Sequence, residues 1–151
     1  MNMQTKFTSN IRKLRKEFNV SQNQLALETG LGKSAVSYWE LGVEVPNAKA
    51  VIILSRYFQV TTDYLLKESG DNTPVYRSDD FDVDLTISNK RLKELRIKSK
   101  LSQDKLATEV KLSQSAINNW ELGKRTPNAN AIVTLARYFG VTTDYLLGES
   151  D

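Results

Sequence analysis

The chain has 151 residues with neither cysteine nor histidine, which excludes disulfides, thiolate nucleophiles, the usual zinc ligand sets and the commonest general base, so no enzyme is expected. The net charge of +3 is unevenly laid out: residues 1–70 carry nine Lys/Arg against six Asp/Glu and residues 89–151 eleven against seven, whereas 71–88 hold only Arg77 against Asp71, Asp79, Asp80, Asp82 and Asp84. Two mildly basic modules flank an acidic connector, a layout that suits a polyanionic partner and equally suits ordinary solvated charge.

No apolar run approaches membrane-spanning length, and Met1-Asn2-Met3-Gln4-Thr5-Lys6 lacks the apolar core of a signal peptide, so a cytoplasmic protein without a membrane partner is expected. The connector separates two copies of one motif. Ser21-Gln22 through Trp39-Glu40-Leu41-Gly42 and Pro46-Asn47-Ala48 returns 81 positions later as Ser102-Gln103 through Trp120-Glu121-Leu122-Gly123 and Pro127-Asn128-Ala129, with no insertion or deletion. The register holds to Val60-Thr61-Thr62-Asp63-Tyr64-Leu65-Leu66 and Val141-Thr142-Thr143-Asp144-Tyr145-Leu146-Leu147. A repeat of this kind sets the unit of folding, so two small domains are expected, at 7–67 and 89–148, joined by a connector at 68–88.

In the first copy Ile11, Leu14 and Phe18 fall at helical spacing, which predicts an amphipathic first helix. Ser21 is placed to cap a second helix, with Gln24 completing a capping box and Val20 stapling onto Leu25. The second copy keeps Ser102 and has Lys105 in the box position, which predicts a weaker cap. Gly30 offers the freedom to turn after the second helix; Lys111 stands in its place in the second copy. A third helix is predicted from Lys33 to Leu41 and from Gln114 to Leu122, each stopped by a glycine, Gly42 or Gly123. Fourth helices follow Asn47 and Asn128 and end at Phe58 and Phe139, and short fifth helices are capped by Thr61 and Thr142. The fold class is therefore all-α, five short helices per copy.

At about 100° per residue, Ala35, Val36 and Trp39 share the inner side of the third helix, and Lys33, Ser34, Ser37 and Tyr38 fan across the outer one. The second copy divides alike, with Ala116, Ile117 and Trp120 inward and Gln114, Ser115, Asn118 and Asn119 outward. A row of uncharged amides and hydroxyls offers the donors and acceptors that base edges use in a major groove; an ordinary uncharged surface is the plainer alternative. The inward angle of both tryptophans makes them core residues, Glu40 and Glu121 at the edge of the inner face suit capping or local pairing, and Asp63 and Asp144 suit the positive end of the last helix dipole. No carboxylate pair has a catalytic arrangement.

Between the copies, Phe81, Val83, Leu85 and Ile87 alternate with Asp82, Asp84 and Thr86, the period of a half-buried β-strand, with a flexible acidic linker as the alternative. Val51-Ile52-Ile53-Leu54 is a run of four apolar residues that cannot all face inward on one helix, which suggests an interface. A homodimer through the 81–87 segment or through the Val51–Leu54 helix is thus an open reading, beside one in which the single chain supplies both modules.

The strings Ser-Gln-x-x-Leu-Ala, Ser-Ala-(Val/Ile)-x-x-Trp-Glu-Leu-Gly, Pro-Asn and Val-Thr-Thr-Asp-Tyr-Leu-Leu, twice in register, resemble the Xre or Cro/repressor family of phage and bacterial helix-turn-helix regulators. The resemblance covers both copies nearly end to end and implies two tandem lambda-repressor-like domains that bind double-stranded DNA, with no cofactor and no small-molecule substrate. It implies base contacts from Lys33, Ser34, Ser37 and Tyr38 and from Gln114, Ser115, Asn118 and Asn119, phosphate contacts from Gln22 and Gln103 at the start of the second helix, and further phosphate contacts from Lys124 and Arg125 in the loop after the third. The first copy departs from the pattern there, with Val43-Glu44-Val45. A transcriptional regulator, most often a repressor in this family, is the leading expectation; a protein-binding role of antitoxin or adaptor type is the rival that the acidic loop and the connector favour.

Overall fold

A computed structural model describes residues 3–71 and 80–151, with side chains of the first helix from Asn10 onward. The described residues are mostly helical and contain no strand. They divide into two compact units, Met1–Val83 and Asp84–Asp151. The first holds α1 (Met3–Glu17), α2 (Gln22–Thr29), α3 (Lys33–Leu41), α4 (Ala48–Phe58) and α5 (Thr62–Leu65). The second holds α6 (Thr86–Lys98), α7 (Gln103–Val110), α8 (Gln114–Leu122), α9 (Ala129–Phe139) and α10 (Thr143–Leu146).

Local chemistry fixes the helix ends. Ser21 Oγ accepts the Gln24 N–H at 3.0 Å, and Ser102 Oγ accepts the Lys105 N–H at the same 3.0 Å, so the expected difference between these caps is absent from the bond itself. The Gln24 side chain reaches forward, its Nε2 donating to Glu28 Oε1 at 3.1 Å. Asn47 and Asn128 cap α4 and α9, each accepting an N–H at 2.9 Å, and Thr61 and Thr142 cap α5 and α10. Gly42 and Gly123 end α3 and α8 in the left-handed region at φ 75°, where a side chain is disfavoured. Lys111 ends α7 in that region at φ 60°, carrying a strain that Gly30 at φ 76° escapes.

Each core gathers one face of every long helix. Ile11, Leu14, Leu25, Val36, Trp39 and Leu54 are buried in the first unit, and Leu92, Leu106, Ile117, Trp120, Ile132 and Leu135 in the second, so both tryptophans are core residues. Burial of each large aliphatic side chain is worth about 1.5–3 kcal/mol. The first helix also closes the unit on its last helix: Asn10 donates to the carbonyls of Tyr64 and Leu65, and Arg91, its counterpart, to those of Tyr145 and Ser150. Phe18, expected on the inner face of the first helix, lies beyond its last residue and is 44% exposed, its ring edge-on to Phe58.

Two sequence readings are overturned. Val51, Ile52, Ile53 and Leu54 are all buried within the first unit, at 0–3% exposure, so they offer no surface for a second chain. The residue that a helix face alone could not hide, Ile53, lies in a cleft that Phe81 also lines; the Phe81 ring sits 6.3 Å from that of Tyr57, one helical turn past Ile53. The 81–87 strand is the second correction. Residues 81–85 have no regular structure and Thr86 and Ile87 already belong to α6. The alternation holds in burial from Phe81 to Leu85, with Phe81, Val83 and Leu85 half-buried and Asp82 and Asp84 exposed, and fails at Ile87, which is exposed; beside Phe81 a side chain of α4, Tyr57, stands in place of a neighbouring strand. Arg56 donates to the Asp80 carbonyl at 2.8 Å, and Asp84 starts α6 by accepting the Thr86 N–H at 2.9 Å.

Candidate nucleic-acid interface

The outward side chains of α3 and α8 are where helical periodicity placed them. Lys33, Ser34 and Tyr38 are exposed and Ser37 half-exposed; Gln114 and Ser115 are exposed and Asn118 and Asn119 half-exposed. Each helix is held from behind by its tryptophan and by Val36 or Ile117. Its start differs between units. Ser113 caps α8 by accepting the Ala116 N–H at 3.0 Å, whereas Gly32 begins α3 with no side-chain cap.

A buried ion pair, which spacing did not disclose, ties these helices to the first helix of each unit. Arg15 donates from Nε to Glu40 Oε2 at 2.8 Å and from Nη2 to Oε1 at 2.9 Å, and Arg12 adds a bond to Oε1 at 3.2 Å. Arg96 grips Glu121 the same way, at 2.6 and 2.9 Å. Each arginine spends a further N–H on the carbonyl of the turn before the second helix, Val20 or Leu101. One guanidinium thus joins three elements in a two-pronged geometry that lysine lacks. Burial pushes the Glu40 carboxyl up, but hydrogen bonds from Arg15, Gln22 and Arg12 together hold it below its ordinary value. The signal in the sequence was the recurrence of Arg15 as Arg96 and of Glu40 as Glu121 at the repeat offset, a charge pairing 25 residues apart that no helical spacing connects.

Gln22 and Gln103, assigned to phosphate from the resemblance, are half-buried and turn their amides toward the same carboxylates. In the second unit this builds a chain of amides. Gln103 Nε2 donates to Glu121 Oε1 at 3.2 Å and to Asn118 Oδ1 at 3.3 Å, while Gln103 Oε1 accepts from Gln114 Nε2 at 2.7 Å. Three of the side chains singled out in the sequence are thereby brought together and oriented. In the first unit Lys33 and Ser37 occupy the places of Gln114 and Asn118, and neither can complete the same amide chain.

The loops after the two helices differ most. Lys124 and Arg125 stand exposed after α8; Val43 and Glu44 stand exposed after α3. The backbone there is alike, since the Val43 N–H bonds to the Tyr38 carbonyl and the Lys124 N–H to that of Asn119, both at 2.9 Å. The first unit also exposes Leu27 at 85%, Leu41 at 65% and Val43 at 61%. Of these, Leu27 and Val43 are Thr108 and Lys124 in the second copy.

Among the described residues, no group of His, Cys, Asp or Glu is arranged to hold a metal and no helix is long and apolar enough to cross a membrane. The family profile described as "Helix-turn-helix" matches residues 11–65, and that described as "Helix-turn-helix domain" matches 89–149. An HTH-type transcriptional activator, BcrR of Enterococcus faecalis, is 39% identical over 59 residues, 39% of this chain and 29% of the relative. The HTH-type transcriptional regulator ImmR of Bacillus subtilis (strain 168) is 34% identical over 62 residues, 41% of this chain and 49% of the relative. A repressor protein of a Salmonella phage is 35% identical over 65 residues, 43% of this chain and 30% of the relative. The chain therefore spans about half or less of the length of these relatives. No solved structure matches it. Two stretches of this one chain, 11–65 and 89–149, thus match helix-turn-helix profiles, and over 59 to 65 residues it is similar to transcriptional regulators.

Proposed function

We propose that the protein is a cytoplasmic, sequence-specific regulator of transcription, built as two tandem five-helix domains of the lambda-repressor type at 7–67 and 89–148 with an acidic connector at 68–88, and that it acts as a repressor by occupying double-stranded DNA. In this reading α3 and α8 enter the major groove, with Lys33, Ser34, Ser37 and Tyr38 and Gln114, Ser115, Asn118 and Asn119 meeting base edges. Lys124 and Arg125 hold phosphate, and Gln22 and Gln103 lie beside the free N–H groups that begin α2 and α7. No cofactor and no catalytic step enter.

The observation that carries the reading is the outer face of α8. Uncharged donors and acceptors are oriented there by a buried carboxylate, with two cations in the loop that follows. A pre-oriented polar face loses less side-chain entropy on binding. Selection of bound duplexes from a random pool, by the whole protein and by Gln114→Ala, tests it: an enriched motif that the variant loses in part supports it, and absence of any motif overturns it. Binding should also weaken steeply with added salt, in proportion to the phosphates neutralised.

A second reading applies to the first unit alone. Leu27 and Val43 are exposed apolar residues that the second unit lacks, and Glu44 would face phosphate with the wrong sign, which favours a protein partner for that unit, as in an antitoxin or adaptor. If Glu44→Gln leaves DNA affinity unchanged while Leu27→Ser abolishes a protein contact, that reading stands.

A further inference from the structure

We infer that Asn118 presents its amide nitrogen to DNA: the amide chain leading from Glu121 through Gln103 turns its carbonyl oxygen toward Gln103, so that it favours a base carrying a keto oxygen over one carrying an exocyclic amino group. The inference rests on the DNA-binding reading of α8 and goes beyond it, because it assigns a polarity to one side chain.

The polarity is set in the interior. The Glu121 carboxylate, 3% exposed and gripped by Arg96, can only accept hydrogen bonds. An amide beside it must therefore present its nitrogen, and Gln103 does, with Nε2 at 3.2 Å from Glu121 Oε1. That choice fixes both ends of the Gln103 amide. Its oxygen is left to accept from Gln114 Nε2 at 2.7 Å, and its second N–H points to Asn118 Oδ1 at 3.3 Å. Rotating Gln103 end for end would set a carbonyl oxygen against a carboxylate, so the orientation follows from charge and does not depend on how an amide is assigned in coordinates.

The two outward amides emerge with different hydrogen-bonding capacity. Gln114 has given one of its two N–H groups to Gln103 and keeps one N–H and its oxygen. Asn118 has given up oxygen capacity on the side facing Gln103 and keeps both N–H groups. In the major groove, guanine O6 and thymine O4 accept, whereas cytosine N4 and adenine N6 donate. Two donors meet a keto oxygen with a hydrogen bond and an amino group with repulsion, and the rejection does as much for specificity as the attraction. Ser37, the counterpart in the first unit, has a hydroxyl that turns freely between donating and accepting, so no such polarity arises there.

The test begins from the selected motif. The base pair at which Asn118→Ala loses preference is rebuilt without its keto oxygen, using 2-aminopurine for guanine or 5-methyl-2-pyrimidinone for thymine. It is also rebuilt without its amino group, using 2-pyrimidinone for cytosine or purine for adenine. Deleting the keto oxygen should weaken the wild-type protein about tenfold, the size of one base-edge contact, and leave Asn118→Ala unchanged; deleting the amino group should leave the wild type within about twofold. Gln103→Ala, with its fold checked through Trp120 fluorescence, frees the Asn118 amide to turn over and should reduce the penalty for reversing that base pair to under about threefold. Wild-type loss on removal of the amino group, a penalty unchanged in folded Gln103→Ala, or a motif in which no position responds to Asn118→Ala overturns the inference and leaves the DNA-binding reading standing. The lack of any motif overturns both.

Discussion

The two units share an architecture and differ in what they place on it. Both pin the third helix to the first through a buried arginine and glutamate, both end it at a glycine, and both put a tryptophan beneath it. The second unit covers that scaffold with amides, two loop cations and a serine cap; the first carries a lysine, a tyrosine, an acidic apolar loop and an uncapped start. The difference separates the residues that hold the helix in place from those that it presents outward. It also extends behind the helix. Ile53 of the first unit is buried in the cleft that Phe81 lines, while its counterpart Thr134 is polar and exposed, so the first unit's fourth helix depends on the connector in a way its twin does not.

The largest expected effect tests the shared scaffold. Arg96→Ala leaves Glu121 without a guanidinium and should cost the second unit about 3–5 kcal/mol. Arg15→Ala should cost the first unit less, since Arg12 still bonds to Glu40. Urea unfolding of the whole chain resolves the two, because Trp39→Phe leaves Trp120 as a reporter of the second unit and Trp120→Phe leaves Trp39 as a reporter of the first; equal losses would break the comparison.

Acid probes the same pair. The Glu40 carboxyl is held below its ordinary value in the folded first unit. Its contribution is therefore fully present above the ordinary carboxylate range and is lost as pH falls through the lowered value. A pH series of first-unit unfolding should show that loss, and Glu40→Gln should flatten it.

The next effect is on binding. Giving the first unit the loop of the second, with Val43→Lys and Glu44→Arg, should tighten DNA binding by about tenfold at moderate salt, and steepen its salt dependence through up to two added phosphate contacts. An unchanged affinity would mean that this loop faces something other than DNA.

Phe81→Ala should then destabilise the first unit by about 1 kcal/mol, a fraction of the value for a fully buried ring, and leave the second untouched. Adding Ile53→Thr should shrink the Phe81 effect, and additivity of the two would show that they do not share the cleft. The smallest effect concerns Lys111. Its left-handed conformation makes Lys111→Gly a stabilising change of about 0.5–1 kcal/mol in the second unit, readable as a rise in the urea midpoint.

The helices were legible because their signals are local. Ser21, Asn47 and Thr61 each bond to an N–H three residues on, and Gly42 supplies a left-handed turn at the place where it stands. The outward sets on α3 and α8 were legible too, since periodicity alone separates them from Trp39 and Trp120. The strand at 81–87 was misread because alternation reports only that one side of an extended segment is covered. It does not say whether a neighbouring strand or the side chains of a helix do the covering.

By itself, then, the sequence determined the repeat, the helix boundaries and which side chains of the third helices face outward, all through contacts within a few residues along the chain. Tertiary structure alone decided that Arg15 and Arg96 reach across 25 residues to Glu40 and Glu121, that Phe81 and Ile53 share a cleft, and that Gln103 turns its nitrogen inward. The reason is electrostatic and steric. A charge taken out of water has to find its partner wherever the fold brings one, and the orientation of every amide along the chain of hydrogen bonds follows from that meeting.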